Sequence, residues 1–509
     1  MVENKRNTLL LDPKDNVIIA LRDLTEGSLI SQNSIITKTP VPSGHKVSVC
    51  KIPAGEPILK YGHTIGIASR PIEEGEHVHS QNLKMVHYKS KSPATGSSAA
   101  PPALPEDKRR YFQGIVRSNG DIATRNYIGI LPMVGCSSTV ARYIAEAFGG
   151  DALKAFPNVD GIVPLVHSGG CAMASEGESM EAFLRCLGGF ITHPNFAGAL
   201  LVGLGCETNQ IDRFLNKWGL SDGPMFRTLG IQEIGGTKAA VEKGISIVKG
   251  MLPLADEVER TPVPASRLVA GLECGGSDAY SGITANPALG YAMDMLVNQG
   301  GTAILSETTE IYGAEQILLA RTGDENTAAR LIKKIEWWED YTSRNGYEID
   351  NNPTPGNKAG GLTTIAEKSL GAVAKGGTTT LNAVYDYAEQ VRESGFVFMD
   401  TPAYDLPSIT AMVAGGANII CFTTGRGSTV GCKPSPVIKL ASNTEMYEKM
   451  SDDMDVNCGV IADGVSSLKE MGRKIFEEIL ATASGKKTRS EIYGYGDDEF
   501  VPWQMGVML

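Results

Sequence analysis

The chain has 509 residues, 42% hydrophobic and 21% charged, with a formal net charge of −11. That length exceeds what one hydrophobic core serves and points to about three domains. The acidic balance argues against nucleic-acid and anionic-membrane partners, and no apolar run reaches the roughly 18 residues that span a bilayer.

The first residues carry no signal-peptide core. The nine cysteines are scattered, odd in number and without a CxxC pair, as expected of thiols in a reducing, cytoplasmic compartment. Short alternating apolar stretches at 16–21 and 45–52 are separated by turns at Pro42-Ser43-Gly44, Pro53-Ala54-Gly55 and Glu74-Gly75, so residues 1–88 read as a small all-β module. Five histidines fall in it: His45, His63, His77, His79 and His87. Residues 89–111, rich in Ser, Pro, Ala and charge, read as an extended linker.

From 112 the pattern becomes apolar runs of strand length alternating with amphipathic segments of helix length. Strands are expected at 128–134, 161–166 and 199–203, with helices from about Ser137 and Gln210. After a Pro-punctuated stretch at 261–264 the rhythm repeats. Strands are expected at 268–272, 302–305, 396–399 and 418–422, and helices from Pro287 and Ala314. Apolar strands alternating with helices imply parallel sheets covered on both faces. The expected plan is therefore an α/β protein: the β module, the linker, a middle α/β domain at 112–260 and a C-terminal α/β domain at 261–509.

Ligands of open parallel sheets bind beyond the carboxyl ends of the strands, and the distinctive polar residues gather there. They are Gly135-Cys136, His167 to Cys171, Cys206-Glu207, Glu273 to Asp278, Glu307 with Glu310, and Thr423 to Gly427. Neither GxGxxG with a following acid nor GxxxxGK[ST] appears in the required context, which disfavours a nucleotide cofactor. Asp278, Glu307 and Glu310 are hard oxygen donors suited to a divalent cation, or else helix caps. Cys136, Cys171, Cys206 and Cys274 each follow a strand; they are packed small side chains or ligands of iron or a cluster. Arg426, between two glycines, is a candidate fork for a substrate carboxylate. Lys358, in the Pro/Gly loop 352–358, is a candidate base or clamp.

The run Gly44-His45-Lys46, Tyr61-Gly62, Ile65-Gly66, His79 and Asn82 resembles the N-terminal β-clip, or SAF-type, domain of altronate and galactarate dehydratases. The stretches at 117–126 (RSNGDIATRN), 203–207 (GLGCE), 273–278 (ECGGSD), 281–287 (SGITANP), 352–361 (NPTPGNKAGG) and 423–427 (TTGRG) resemble the body of that family, nearer its altronate branch. One departure leaves the substrate open: His167-Ser168-Gly169-Gly170-Cys171 stands where the altronate branch reads His-Thr-Tyr-Gly-Cys.

The resemblance implies a dimer-forming middle domain and a Rossmann-like, nucleotide-free C-terminal domain that binds a metal. It also implies dehydration of a sugar acid, D-altronate first, to its 2-keto-3-deoxy acid. The expected metal is Fe²⁺ or Mn²⁺, with Ca²⁺ or Mg²⁺ as alternatives, on Cys274, Asp278, Glu307 and Glu310. Substrate contacts are expected from Lys46, Arg125, Asn126, Asn286, Asn357 and Arg426, and acid–base work from His45, His167 and Lys358. Galactarate dehydratase, a sulfo-lyase of the same family and a non-catalytic sugar-acid sensor are the competing readings.

Overall fold

The structure is a computed structural model that describes residues 7–30, 34–86 and 104–505. Most of the expected linker, and His87, lie outside the described residues. Tyr111, its expected last residue, already belongs to a strand.

The N-terminal module is all β. An antiparallel sheet orders Thr8–Leu9, Val17–Ala20, Lys46–Ser48 and His77–Val78, and a second orders Pro57–Lys60, His63–Ala68 and Leu83–Lys84. Its buried Val17, Ile58, Ile65 and Val78 belong to the same apolar cluster as Leu289 and Leu370 of the C-terminal part, so the module is seated on that domain.

The middle domain holds four parallel strands: β1 (Tyr127–Pro132), β2 (Gly161–Pro164), β3 (Phe196–Gly203) and β4 (Phe226–Gly230), in the order β2-β1-β3-β4. The C-terminal domain holds seven: β5 (Val269–Cys274), β6 (Thr302–Leu305), β7 (Leu381–Tyr385), β8 (Gly395–Met399), β9 (Ile419–Thr424), β10 (Val437–Ala441) and β11 (Val456–Asn457). They lie parallel in the order β7-β8-β6-β5-β9-β10-β11. β8 and β9 are buried at every position, as a sheet covered on both faces requires.

The two α/β domains are less separate than composition suggests. Strand Tyr111–Val116 pairs with Arg260–Pro264, across the boundary expected at 260 and 261. Helix α2 (Glu178–Ile191) packs on α5 (Asp405–Ala414), and one apolar cluster contains residues of both. A Cβ on Gly189 would overlap the Ala414 carbonyl, so Gly189→Ala would force the two helices apart.

Strand order decides where a site can form. β5 is the first strand of its sheet, and the chain departs from it in both directions, to β6 on one side and β9 on the other. The loop after β5 therefore opens at the switch point where a crevice forms.

Candidate metal centre and interdomain cleft

Cys274 ends β5, and Glu307 and Glu310 follow β6, the neighbouring strand. Their ligand atoms lie within 4.8 Å of one another, and all three residues are buried. The Cys274 Sγ is 3.3 Å from Oε2 of Glu307 and 3.3 Å from Oε2 of Glu310. Glu307 adopts a left-handed backbone (φ 68°), unusual for a side-chain-bearing residue and held here by its neighbours. Its amide donates to Thr401 Oγ1.

Two lysines neutralise this acidic nest. Lys375 Nζ donates to Glu307 Oε2 at 2.6 Å, and Lys368 Nζ donates to Glu310 Oε1 at 2.6 Å. Lys368 lies on α4 (Ile365–Ala372) and Lys375 on the short turn that follows. Burial alone would neutralise an isolated Glu310, but Lys368 and then Lys375 hold its carboxyl below the ordinary range. Burial first, and Glu307 second, raise the Cys274 thiol. Asp405, at the start of α5, is pushed up to about 7 by burial, then by Glu307 and Glu310. Its carboxylate fills the space where a Cβ on Gly275 would sit.

The donor set fits a divalent transition metal. Glu307 Oε1 is buried without a hydrogen-bond partner among the described residues, an expensive state for a carboxylate oxygen and a ready ligand position. One thiol among two carboxylates suits Fe²⁺, Mn²⁺ or Zn²⁺ better than Ca²⁺ or Mg²⁺, which take oxygen donors alone.

Asp278, expected in this ligand set, is used differently. Its Oδ1 accepts from the Ser281 amide, Ser281 Oγ and Ser442 Oγ, and its Oδ2 accepts from Asn443 Nδ2. The carboxylate ties its own turn to the segment at 442–443 instead of joining Cys274. It borders a second feature on the same edge, a cleft of about 390 Å³ between the β module and the C-terminal domain. Ser43, Asp278, Tyr280, Arg426, Asn443 and Lys449 line it. A Cβ on Gly425 would overlap the Asp278 carboxylate, which explains the glycine before Arg426. Arg426 is exposed, with no ion pair among the described residues.

The β module is clasped to this edge. His79 Nε2 donates to the Lys358 carbonyl at 2.9 Å, His45 Nε2 donates to the Ala359 carbonyl at 3.3 Å, and His77 Nε2 reaches His45 Nδ1 at 3.0 Å. Burial pushes His45 and His77 down to about 4, so the clasp is neutral. Beneath it Glu367 accepts from Lys46 Nζ at 2.9 and 2.8 Å and from Lys60 Nζ at 2.8 Å. Two ammonium groups share one carboxylate; burial first, and Lys60's charge against Glu367's attraction, leave Lys46 at about 8.

Several expected substrate contacts therefore serve the fold. Lys46 is consumed by Glu367 and the Gly361 carbonyl. Arg125 and Asn126 precede β1, at the amino end of the middle sheet and away from the crevice. Arg125 spends its donors on Glu491 and on the carbonyls of Thr124, Thr482 and Lys486, and Asn126 is bonded to Arg117, Asp160, Asn158 and Ala255. Asn286 donates to the Gly371 carbonyl, and Asn357 caps its short helix and donates to Ser277. His167 lies on the middle domain's edge, where its Nε2 donates to the Pro132 carbonyl. Lys358 is half-buried on the clasp loop. Lys368, Lys375 and Asp405 were not singled out by sequence; the signal was the pair of lysines seven apart, on one face of a helical run of small residues.

Family models match three consecutive parts of the chain. These are the altronate/galactarate dehydratase SAF domain at 6–86, the second domain of D-galactarate dehydratase/altronate hydrolase at 114–256, and the D-galactarate/altronate dehydratase C-terminal domain at 265–508. The chain is 34% identical to altronate dehydratase of Bacillus subtilis over 96% of its own length and 97% of that protein. The chain belongs to the galactarate/altronate dehydratase family. Family membership makes it an enzyme of the hydro-lyase kind. It is also 36% identical to galactarate dehydratase (L-threo-forming) of Escherichia coli, covering 94% of this chain and 93% of that one. The (2R)-sulfolactate sulfo-lyase subunit beta of Chromohalobacter salexigens is 30% identical over 77% of this chain and 97% of its own.

Proposed function

We propose that this enzyme dehydrates a sugar acid, D-altronate first, to its 2-keto-3-deoxy acid. Cys274, Glu307 and Glu310 would hold Fe²⁺ or Mn²⁺. The observation that carries this reading is the buried group of those three residues at the switch point of the C-terminal sheet.

The reaction removes a weakly acidic proton beside a carboxylate and expels the hydroxyl of the next carbon. Cys274, Glu307 and Glu310 would hold a divalent ion, which when bound would supply Lewis-acid stabilisation of the charge that develops on that carboxylate. Arg426, exposed at the cleft, orients the acid by a charge-assisted fork. Of the three acid–base candidates, His45 has both ring nitrogens engaged and His167 faces another cavity. That leaves the Lys358 side chain, as its neutral amine, to accept the proton at C2. The hydroxyl leaves C3 as water when it takes back that proton from the ammonium so formed, and the enol tautomerises to the ketone. Galactarate remains the second substrate reading, because the relatives named for the two acids are 34% and 36% identical to this chain.

The test is an anaerobic assay for 2-keto-3-deoxy product on altronate, galactarate and gluconate after loading with Fe²⁺ or Mn²⁺. Glu307→Gln and Glu310→Gln, each checked for an unchanged circular dichroism spectrum, should lose metal-dependent kcat by roughly 10³-fold, the worth of several kcal/mol of Lewis-acid stabilisation. Full activity in either folded variant would remove that glutamate from the ligand set. Tight sugar-acid binding without turnover in the loaded protein would favour a sensor.

A further inference from the structure

The middle sheet has a carboxyl edge of its own, and the proposed dehydration does not use its thiols. Cys136 follows β1, Cys171 follows β2 and Cys206 follows β3. These strands are neighbours in the sheet, so the three loops leave it side by side, about 4.8 Å apart at their roots.

The loops are also bonded to each other. The Gly135 amide donates to the Gly169 carbonyl at 2.9 Å, and the Asn209 amide to the Gly170 carbonyl at 3.1 Å. Asn209 Nδ2 reaches the Met133 carbonyl at 3.2 Å, and Ser137 Oγ bonds the carbonyls of Val134 and Val202 at 2.8 and 2.9 Å. Gly170 permits the tightest approach: it adopts φ 101°, and a Cβ there would overlap the Met133 carbonyl. Each thiol thus stands within three residues of a bond that ties its loop to a neighbour.

The thiols differ from the cysteines buried in the α/β domains. Cys136, Cys171 and Cys206 are exposed, whereas Cys186, Cys421, Cys432 and Cys458 are buried, and burial raises those thiols. Buried cysteines of that kind are packing; exposed thiols on three loops that leave adjacent strands are available as ligands. Cys136 and Cys171 also line a cavity of about 780 Å³ with His167, Tyr404, Phe500 and Trp503. His167 is buried there, and its Nδ1 has no hydrogen-bond partner among the described residues.

Among the described residues only Cys274, Glu307 and Glu310 bring ligand atoms within 4.8 Å of one another. The three loop thiols do not form so compact a set, and the group that suits ligands on three loops rooted side by side is a polynuclear centre, whose ligands stand farther apart than those of one ion. We propose that Cys136, Cys171 and Cys206 hold an iron–sulfur cluster on the edge of the middle domain. Loading is a ligand exchange. Each thiol loses its proton to solvent and replaces one thiolate of a preformed cluster, with no change of oxidation state. Three protein ligands leave one iron of a cubane cluster open to an oxygen donor.

The experiment offers the full-length protein, without oxygen, a preformed cubane cluster carrying small-thiolate ligands. Desalting, iron and acid-labile sulfide assays and visible absorption follow. The wild type should retain equal amounts of iron and sulfide with a broad visible band. Cys136→Ser, Cys171→Ser and Cys206→Ser should each lose nearly all of both with an unchanged melting temperature, since these side chains are exposed. Cys274→Ser and Glu307→Gln should retain the cluster, which separates this site from the dehydration centre. A wild type that retains no sulfide, a stoichiometric metal without sulfide, or folded serine variants that keep the full band would each overturn the proposal.

Discussion

The two carboxyl edges of this molecule obey one topological rule and present opposite chemistry. At the C-terminal edge the donors are two carboxylates and a thiol, all buried, with their charge neutralised by Lys368 and Lys375. At the middle edge the three strand-end thiols are exposed, two of them beside a wide cavity, and backbone hydrogen bonds tie their loops together. Strand order decides where a site can form; burial and the neighbouring charges decide what it can bind. A buried acidic nest needs internal cations to persist without metal, whereas an exposed thiol edge needs none.

That contrast can be broken at Lys375, which is almost wholly buried against Glu307. Lys375→Met strands the Glu307 carboxylate, and removing one partner of a buried pair costs about 3–5 kcal/mol. The expected result in chelator is a clear fall in melting temperature, largely restored by Mn²⁺, because the freed carboxylate then pairs with the ion. A variant that melts like wild type in chelator, or that ignores Mn²⁺, would show that the lysine is not standing in for metal charge.

Much of this organisation is legible in sequence because the buried parallel strands are written as uninterrupted apolar runs. Ile419–Thr424 and Gly395–Met399 are such runs, and the polar residues that follow β5 and β6 do converge. Strands carrying a polar residue escape that reading. Lys439 sits fully buried within β10 with its Nζ on the Val430 carbonyl, and Arg227 and Asn382 interrupt β4 and β7. The same limit explains the site. Arg125 and Asn126 lie in an unusual motif but belong to the amino end of a strand, and only the fold shows that every donor of Arg125 is taken. Lys368 and Lys375 look like solvated helix lysines until the helix is seen to be enclosed.

Arg426 sharpens the comparison from the solvent side, because it is an exposed cation lining the cleft, whereas the two lysines of the nest are buried. Arg426→Ala should raise KM for the sugar acid by about 10- to 100-fold, the worth of a charge-assisted bidentate contact of roughly 1.5–3 kcal/mol. Melting temperature should stay unchanged. Unaltered KM with a lower kcat would move Arg426 from substrate anchoring to stabilisation of the transition state.

The smallest effect separates the histidines of the two edges. His167 lines the middle cavity, and burial pushes it from 6.5 down to about 4, against the bond to the Pro132 carbonyl. Below pH 6.5 the unfolded chain takes up a proton that the folded His167 refuses until about pH 4. Stability therefore falls as pH drops through that window, by roughly 2 kcal/mol per fully buried histidine at pH 5. His45 and His77 titrate in the same depressed range but sit in the clasp between domains, so their protonation opposes docking of the β module. His167→Gln should flatten the fall in melting temperature between pH 7 and pH 5 by one histidine's share. His45→Gln should flatten it too and, in addition, expose the loop at 355–361 to hydrogen exchange at neutral pH. If His167→Gln opened that loop to the same degree, the two edges would be coupled through the shared core of α2 and α5 and would not act as separate sites.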